Sequence, residues 1–262
     1  MDSFKIKKMT INKIITTVVF IVLTTATNGQ KLIQAGKYDD LMSAPEIAIA
    51  GGGSLIDWAN MNFYKDSNDK LKKITDTNRV VFMGNSITQD WSHFNASFFK
   101  NNPFVNRGIG GQTSPQMLVR FRTDVVNLNP KAVVIMAGTN DIAGNTGLIS
   151  IENTAENIFS MAEIATANNI AVYICSTLPA IDFLWSPELE PASKIVKLNT
   201  ILKNYCKENG LTYVDYYAAM VDDDGGLKVP DYTGANDLVH PNKQGYKVME
   251  KIILASLKNS LN

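Results

Sequence analysis

The chain is poor in cysteine and histidine: Cys175, Cys206, His93 and His240 are all it has of either in 262 residues. Two cysteines cannot build a disulfide scaffold. They read as two separate buried thiols, one ending an apolar strand-like run and one inside a helical pattern, or as a single bridge in an oxidising compartment. With two histidines, any imidazole chemistry falls to one or the other. Neither sign of charge dominates, with 25 basic and 25 acidic residues and a net charge of zero, so nucleic acid is not an expected partner. The apolar stretch 14–23, itself interrupted by Thr16 and Thr17, is too short to cross a bilayer. No Gly-x-Ser-x-Gly occurs, nor a phosphate loop: the glycine run at 51–54 lacks the Gly-Lys-Ser/Thr ending and reads as a turn. The acidic run 222–226 lacks the alternating ligands and distal glutamate of a calcium loop and reads as a solvated turn. No internal repeat or heptad pattern is present.

What is present begins with a leader. Lys5, Lys7, Lys8 and Lys13 precede the apolar stretch, and small and polar residues follow to Gly29. This is the pattern of a secretory signal peptide over 1–29, with cleavage after Gly29 or after Ala26, and it predicts a secreted or periplasmic protein. No cysteine near those positions would take a lipid anchor. Removing four lysines and Asp2 from a chain of zero net charge leaves −3, and taking 29 from 262 leaves 233 residues. That length suits one substantial core. Residues 30–79 form an extension, with 57–72 patterned as an amphipathic helix that packs on the domain over 80–262.

Within that domain apolar runs of strand length at 80–83, 104–105, 132–137, 170–175 and 212–214 alternate with helical periodicity at 114–128, 151–168, 192–209 and 242–261. Alternation of this kind predicts an α/β fold with a doubly wound parallel sheet of about five strands between two helical layers. The run Ala-Val-Val-Ile-Met-Ala shows no polar alternation, as expected of a strand covered on both faces. Pro130 ends one segment, Gly210 suits a left-handed helix cap, and Pro241 suits a first helical turn while leaving His240 extended.

Four short motifs carry chemistry. An apolar strand runs into Gly84-Asn85-Ser86, which holds a hydroxyl out at a sheet edge. Gly108 to Thr113 supplies a tight glycine turn, Ala137 to Asp141 an amide side chain, and Asp237 to Asn242 an imidazole three residues after a carboxylate. Nucleophile, base, orienting carboxylate and oxyanion donors are the parts that acyl transfer through serine requires. All four fall at or after predicted strand ends, where open α/β sheets place ligands.

In the same order, these motifs resemble the four sequence blocks of the SGNH/GDSL hydrolase superfamily. The resemblance spans residues 80–246. It implies a flavodoxin-like three-layer sandwich and an acylhydrolase needing no cofactor and no metal, with Ser86 as nucleophile, His240 as base and Asp237 as its partner. The backbone N–H groups of Ser86 and Gly111 and the side-chain amide of Asn140 would form the oxyanion hole, with Gly110 as the alternative to Gly111. One position departs: the superfamily's usual aspartate before the serine is Asn85 here, nearly isosteric but uncharged and with an added donor.

Other readings of these residues stay open. Ser86 could cap the following helix, His93 is the competing base, Asp231 could replace Asp237, and Asp141 could cap the helix after Asn140 rather than do chemistry. Phe183 and Trp185 lie on a long connection over 178–191 and are either pocket walls or packing residues. The expected substrate is a short-chain acyl ester, acetyl first, on a carbohydrate. Lysophospholipase or thioesterase activity is the alternative, and a non-catalytic carbohydrate-binding domain is the rival from another class. An α/β-hydrolase shares the order Ser, Asp, His, but Asp237 and His240 are too close in sequence for it.

Overall fold

Five runs rich in aliphatic and aromatic residues form the strands β1 (Val80–Gly84), β2 (Phe104–Gly108), β3 (Ala132–Met136), β4 (Ala171–Cys175) and β5 (Thr212–Val214). Every pairing is parallel, in the order β2-β1-β3-β4-β5. The structure, a computed structural model, describes residues 57–75 and 78–261, which belong to one compact unit. The leader over 1–29, its cleavage positions and the glycine run at 51–54 lie outside the described residues. The five-stranded parallel sheet agrees with the sequence expectation. Both β1 and β3 are buried at every position, which is why their sequences show no alternation.

Helices cover both faces. α1 (Lys65–Leu71) precedes the sheet; α2 (Ser86–Phe94) and α3 (Ala96–Lys100) join β1 to β2; α4 (Ser114–Asp124) and the 3₁₀ turn Val126–Leu128 join β2 to β3. α5 (Thr139–Ile142) and α6 (Ile151–Ala167) lead to β4, α7 (Pro191–Glu208) leads to β5, and α8 (Tyr217–Met220) and α9 (Lys243–Leu261) complete the fold. α4, α6 and α7 pack in sequence on one another, while α2 packs on α9. The chain turns outward from β1 to β2 and then crosses back to β3, so strand order reverses between β1 and β3. Such a switch point opens a crevice at the carboxyl ends of the strands. Gly84 lies in register with both Gly108 and Met136, so the loops after three adjacent strands leave the sheet at one level.

α2 is held hard onto that edge. A Cβ on Gly108 would stand 2.2 Å from the backbone N of Gln89, so only glycine lets helix and strand approach this closely. Trp91, 1 % exposed, stacks on Phe98 at 5.0 Å and meets Phe82 edge-on at 5.7 Å; such pairs each contribute about 0.5–1.5 kcal/mol beyond burial. Its indole N–H donates to Glu250 of α9 at 3.0 Å.

A buried polar network ties the other side of the crevice together. The Arg120 guanidinium donates to Asp124 at 2.9 Å, to Gln112 Oε1 at 2.5 Å and to the carbonyl of Gly84 at 2.9 Å. Asn68 of α1 donates to Asp124 at 2.6 Å and accepts from Arg107 at 2.9 Å. Burial lowers the Arg120 pKa and Asp124 pulls it back up. Stranding one member of such a pair costs about 3–5 kcal/mol. The network therefore fixes the strand end before Ser86 and the loop after β2 to the same cation.

Several boundaries differ from the sequence expectation. Of residues 57–72 only Lys65–Leu71 is helical: Asn60 takes a left-handed φ of 56°, and the Asp57 carboxylate accepts the Met61 N–H at 2.8 Å in place of a helical carbonyl. The helix expected over 114–128 stops at Asp124 and continues as a 3₁₀ turn. Pro241 lies outside α9, because Asn242 is its cap, accepting from the N–H groups of Gln244 at 2.9 Å and Gly245 at 3.0 Å. Gly210 has the expected left-handed conformation, φ 65°. Cys175 and Cys206 are free and buried; burial pushes their thiols up to about 12 and about 11, which makes both inert at neutral pH.

Candidate active site

Ser86 is the first residue of α2, and Asn85 is its cap: the Asn85 Oδ1 accepts the Ile87 N–H at 3.0 Å. The capping role considered for Ser86 is thus taken by its neighbour, and the neutral amide at the position where aspartate is usual satisfies the same orphan donor. As first helical residue, Ser86 has an N–H with no intrahelical acceptor, at the positive end of the helix.

The hydroxyl of Ser86 lies 2.9 Å from His240 Nε2. His240 Nδ1 lies 2.9 Å and 3.1 Å from the two Asp237 carboxylate oxygens. A carboxylate only accepts, so Nδ1 carries a proton; in the neutral ring the lone pair is then on Nε2, facing the serine hydroxyl, which donates to it. The carboxylate also accepts the backbone N–H groups of His240 at 2.9 Å and Val239 at 3.2 Å. Leu238 makes this turn possible with φ 65°, a conformation that costs a branched residue about 1–3 kcal/mol. Partial burial pushes the Asp237 carboxyl up, but the hydrogen bonds from His240 and Val239 outweigh it and hold the group below the usual carboxylate range. The Thr233 hydroxyl donates to the His240 carbonyl at 2.9 Å and fixes the backbone from the other side. Asp231 is exposed and its backbone carbonyl, not its carboxylate, is engaged by Asn242. His93 is exposed at the far end of α2, edge-on to Phe94.

Two further loops bring amide donors to the same place. Gly110 donates its N–H to Gln89 Oε1 at 2.6 Å, which spends it. Gly111, at φ 74°, lines the cavity with Ser86. The Asn140 side chain donates one N–H to the Gln112 carbonyl at 3.0 Å; this fixes the amide and leaves its second N–H for the cavity that Asn140 also lines. Asp141 serves the start of its own helix, through the backbone N–H groups of Gly138 and Asp141, and the start of a second one as well. Its buried carboxylate accepts the Ser114 N–H at 2.9 Å and the Ser114 hydroxyl at 2.5 Å, holding the start of α4; burial raises its pKa and the Ser114 bonds lower it again, leaving it net raised.

Ser86, Gly111, Asn140, Asn145, Trp185 and His240 bound an open cavity of about 300 Å³. A larger groove of about 720 Å³ runs along α9 past Lys247 and Lys251 and holds none of these groups. Trp185 is 47 % exposed, with its ring centre 6.5 Å from that of His240. Of the two roles left open for it, Phe183 takes packing. It is fully buried and stacks behind Trp185 at 5.2 Å, supporting the indole instead of meeting a ligand. The turn at 222–226 uses the Asp222 carboxylate to accept the N–H groups of Asp224 at 3.0 Å and Gly226 at 2.8 Å. Asn145 was not legible as a site residue, because the run Gly144-Asn145-Thr146-Gly147 reads as a turn. Arg120 and Gln112 were equally hidden, since nothing local marks them as sharing hydrogen bonds across three segments. An arrangement of hydroxyl, imidazole, carboxylate and convergent amide donors can add a serine oxygen to a carbonyl carbon and hold the charge that develops.

Comparison with known proteins identifies the family. The family model for the GDSL-like lipase/acylhydrolase family matches residues 82–248. Among solved structures, an acylhydrolase-type protein from Bacteroides fragilis is 49 % identical, covering 79 % of this chain and 99 % of that one with a TM-score of 0.75. A GDSL-like lipase from Bacteroides thetaiotaomicron is 45 % identical, covering 77 % and 98 %, with a TM-score of 0.73. Among curated proteins, the uncharacterized lipoprotein YqeF of Bacillus subtilis is 28 % identical over 160 residues, 54 % of this chain; the match spans 66 % of that protein's length, just under two thirds. The match over 82–248 covers most of the chain and all the motif residues, and the chain belongs to the GDSL-like lipase/acylhydrolase family.

Proposed function

We propose that this acylhydrolase cleaves short-chain acyl esters, acetyl first, borne on carbohydrate, with Ser86 as nucleophile, His240 as general base and Asp237 as the group that orients it. His240 Nε2 takes the Ser86 proton as Oγ adds to the ester carbonyl. The oxyanion is held by the N–H groups of Ser86 and Gly111 and by the Asn140 amide. The tetrahedral adduct collapses, the C–O bond to the alcohol breaks, and the imidazolium gives its proton to the departing oxygen. Water then repeats the sequence on the acyl-serine and releases the acid. No cofactor or metal is required by these steps. The observation that carries the reading is the run from Ser86 through His240 to Asp237, at 2.9 Å for each leading contact, opening into a small cavity with an aromatic wall.

The cavity lies at the lower end of ligand-pocket sizes. It suits a small acyl group, while the half-exposed face of Trp185 suits stacking of a sugar ring. One observation favours a longer apolar substrate instead: Leu184 beside Trp185 is 50 % exposed, and Leu148, three residues after Asn145, is 93 % exposed. The leader pattern supports export, and among the described residues no helix is long and apolar enough to cross a membrane. The test is kcat/KM for p-nitrophenyl esters of two, four, eight and twelve carbons, with wild type and Trp185→Ala, followed by acetylated xylan and other acetylated sugars. Acetyl should be preferred by wild type, and loss of the wall should relax discrimination by about 1–3 kcal/mol. An optimum at eight carbons or more would reject the acetylesterase reading for the lipid one, and an unchanged profile in the variant would remove Trp185 from substrate selection.

A further inference from the structure

Asn145 touches three parts of the site at once. Its side chain donates through Nδ2 to the Gly111 carbonyl at 3.2 Å and accepts through Oδ1 from the Trp185 indole N–H at 3.1 Å. Its backbone N–H donates to the carbonyl of Asn140 at 3.0 Å. A carbonyl only accepts and an indole N–H only donates, so the amide has one orientation that satisfies both. The next residue adds a second tie: Thr146 and Thr113 share a hydroxyl–hydroxyl bond of 2.9 Å. Trp185 itself sits on the long connection between β4 and α7, half-exposed, with Phe183 behind it.

We propose that Asn145 is a positioning residue that couples the Trp185 wall to the oxyanion loop, so that the indole and the Gly111 N–H are held in one fixed relation. This rests on the esterase reading above. Fixing the Gly111 carbonyl fixes the peptide on one side of a left-handed residue, and with it the direction of the N–H on the other side. Fixing the indole sets the wall against which the bound ester rests. A substrate that fills the space beside Trp185 therefore meets donors already aimed at its carbonyl, which is the preorganisation that electrostatic stabilisation of an oxyanion needs. Substituting aspartate would preserve the acceptor for Trp185 but turn an oxygen toward the Gly111 carbonyl and place a negative charge beside the developing oxyanion.

The coupling is tested by a double-mutant cycle with Asn145→Ala and Trp185→Phe, the latter retaining a ring and losing only the N–H donor among polar groups. Rates on p-nitrophenyl acetate are normalised to active serine by stoichiometric phosphonate titration, so unfolded protein does not count as slow protein. Each single change should lower kcat about tenfold with KM little altered, and the double should be no slower than the slower single by more than about twofold. Asn145→Asp should fall below Asn145→Ala, by a further factor of about ten. A double variant slowed by the product of the two single losses would overturn the proposal. So would Asn145→Ala within twofold of wild type, or an Asn145→Asp enzyme as fast as wild type. Ser86→Ala run in parallel separates the two readings: turnover that survives it defeats the serine mechanism, whereas additive effects in a serine-dependent enzyme defeat only the coupling.

Discussion

Ser86→Ala should lower turnover of p-nitrophenyl acetate by about 10⁴–10⁶-fold while leaving the melting temperature nearly unchanged. The separation of the two effects follows from the local structure. The cap of α2 is Asn85, not Ser86, so the helix retains its terminal hydrogen bond when the hydroxyl is removed. The hydroxyl's bond is to His240 at the cavity. Turnover within tenfold of wild type would show that the nucleophile lies elsewhere. A large fall in melting temperature would show that Ser86 holds the fold and that its activity loss cannot be read as chemistry.

Asn140→Ala should lower kcat by about 10²–10³-fold with KM much less affected, because an oxyanion donor acts on charge that exists only in the transition state. This substitution is not silent for stability. Asn140 is 4 % exposed, and its amide satisfies the Gln112 carbonyl at 3.0 Å; leaving that acceptor unpaired in a buried place costs about 1–3 kcal/mol. Steady-state kinetics and urea unfolding on the same preparation separate the two contributions. An effect confined to KM, or a kcat loss below about fivefold, would remove Asn140 from the oxyanion hole.

The sheet and the principal site motifs were legible in the sequence because each has a local signature. Doubly covered strands have no polar alternation, so β1 and β3 stand out as unbroken apolar runs. A serine at a strand end, and an imidazole three residues after a carboxylate, announce themselves by spacing. What stayed hidden depends on contacts made across the chain. What distinguishes Gly110 from Gly111 is Gln89, 21 residues away, which takes the Gly110 N–H. Phe183 and Trp185 read alike as aromatic residues in a loop, and only packing separates the buried support from the exposed wall. Asn145 looked like a turn residue, and its hydrogen bonds reach 34 and 40 residues along the chain. The helix expected over 57–72 failed for a local reason, since Asp57 and Asn60 offer the backbone a competing turn.

The central claim is that Ser86 is the nucleophile and that His240 activates it. The most direct measurement is treatment with a stoichiometric dialkyl p-nitrophenyl phosphonate or phosphate, followed by peptide mass spectrometry and a residual activity assay. A single phosphoryl adduct on Ser86, formed in step with loss of esterase activity, absent from Ser86→Ala and much slower in His240→Ala but not in His93→Ala, is the predicted result. Full inactivation with the adduct on another residue, or ester hydrolysis that continues after Ser86 is stoichiometrically modified, would contradict it.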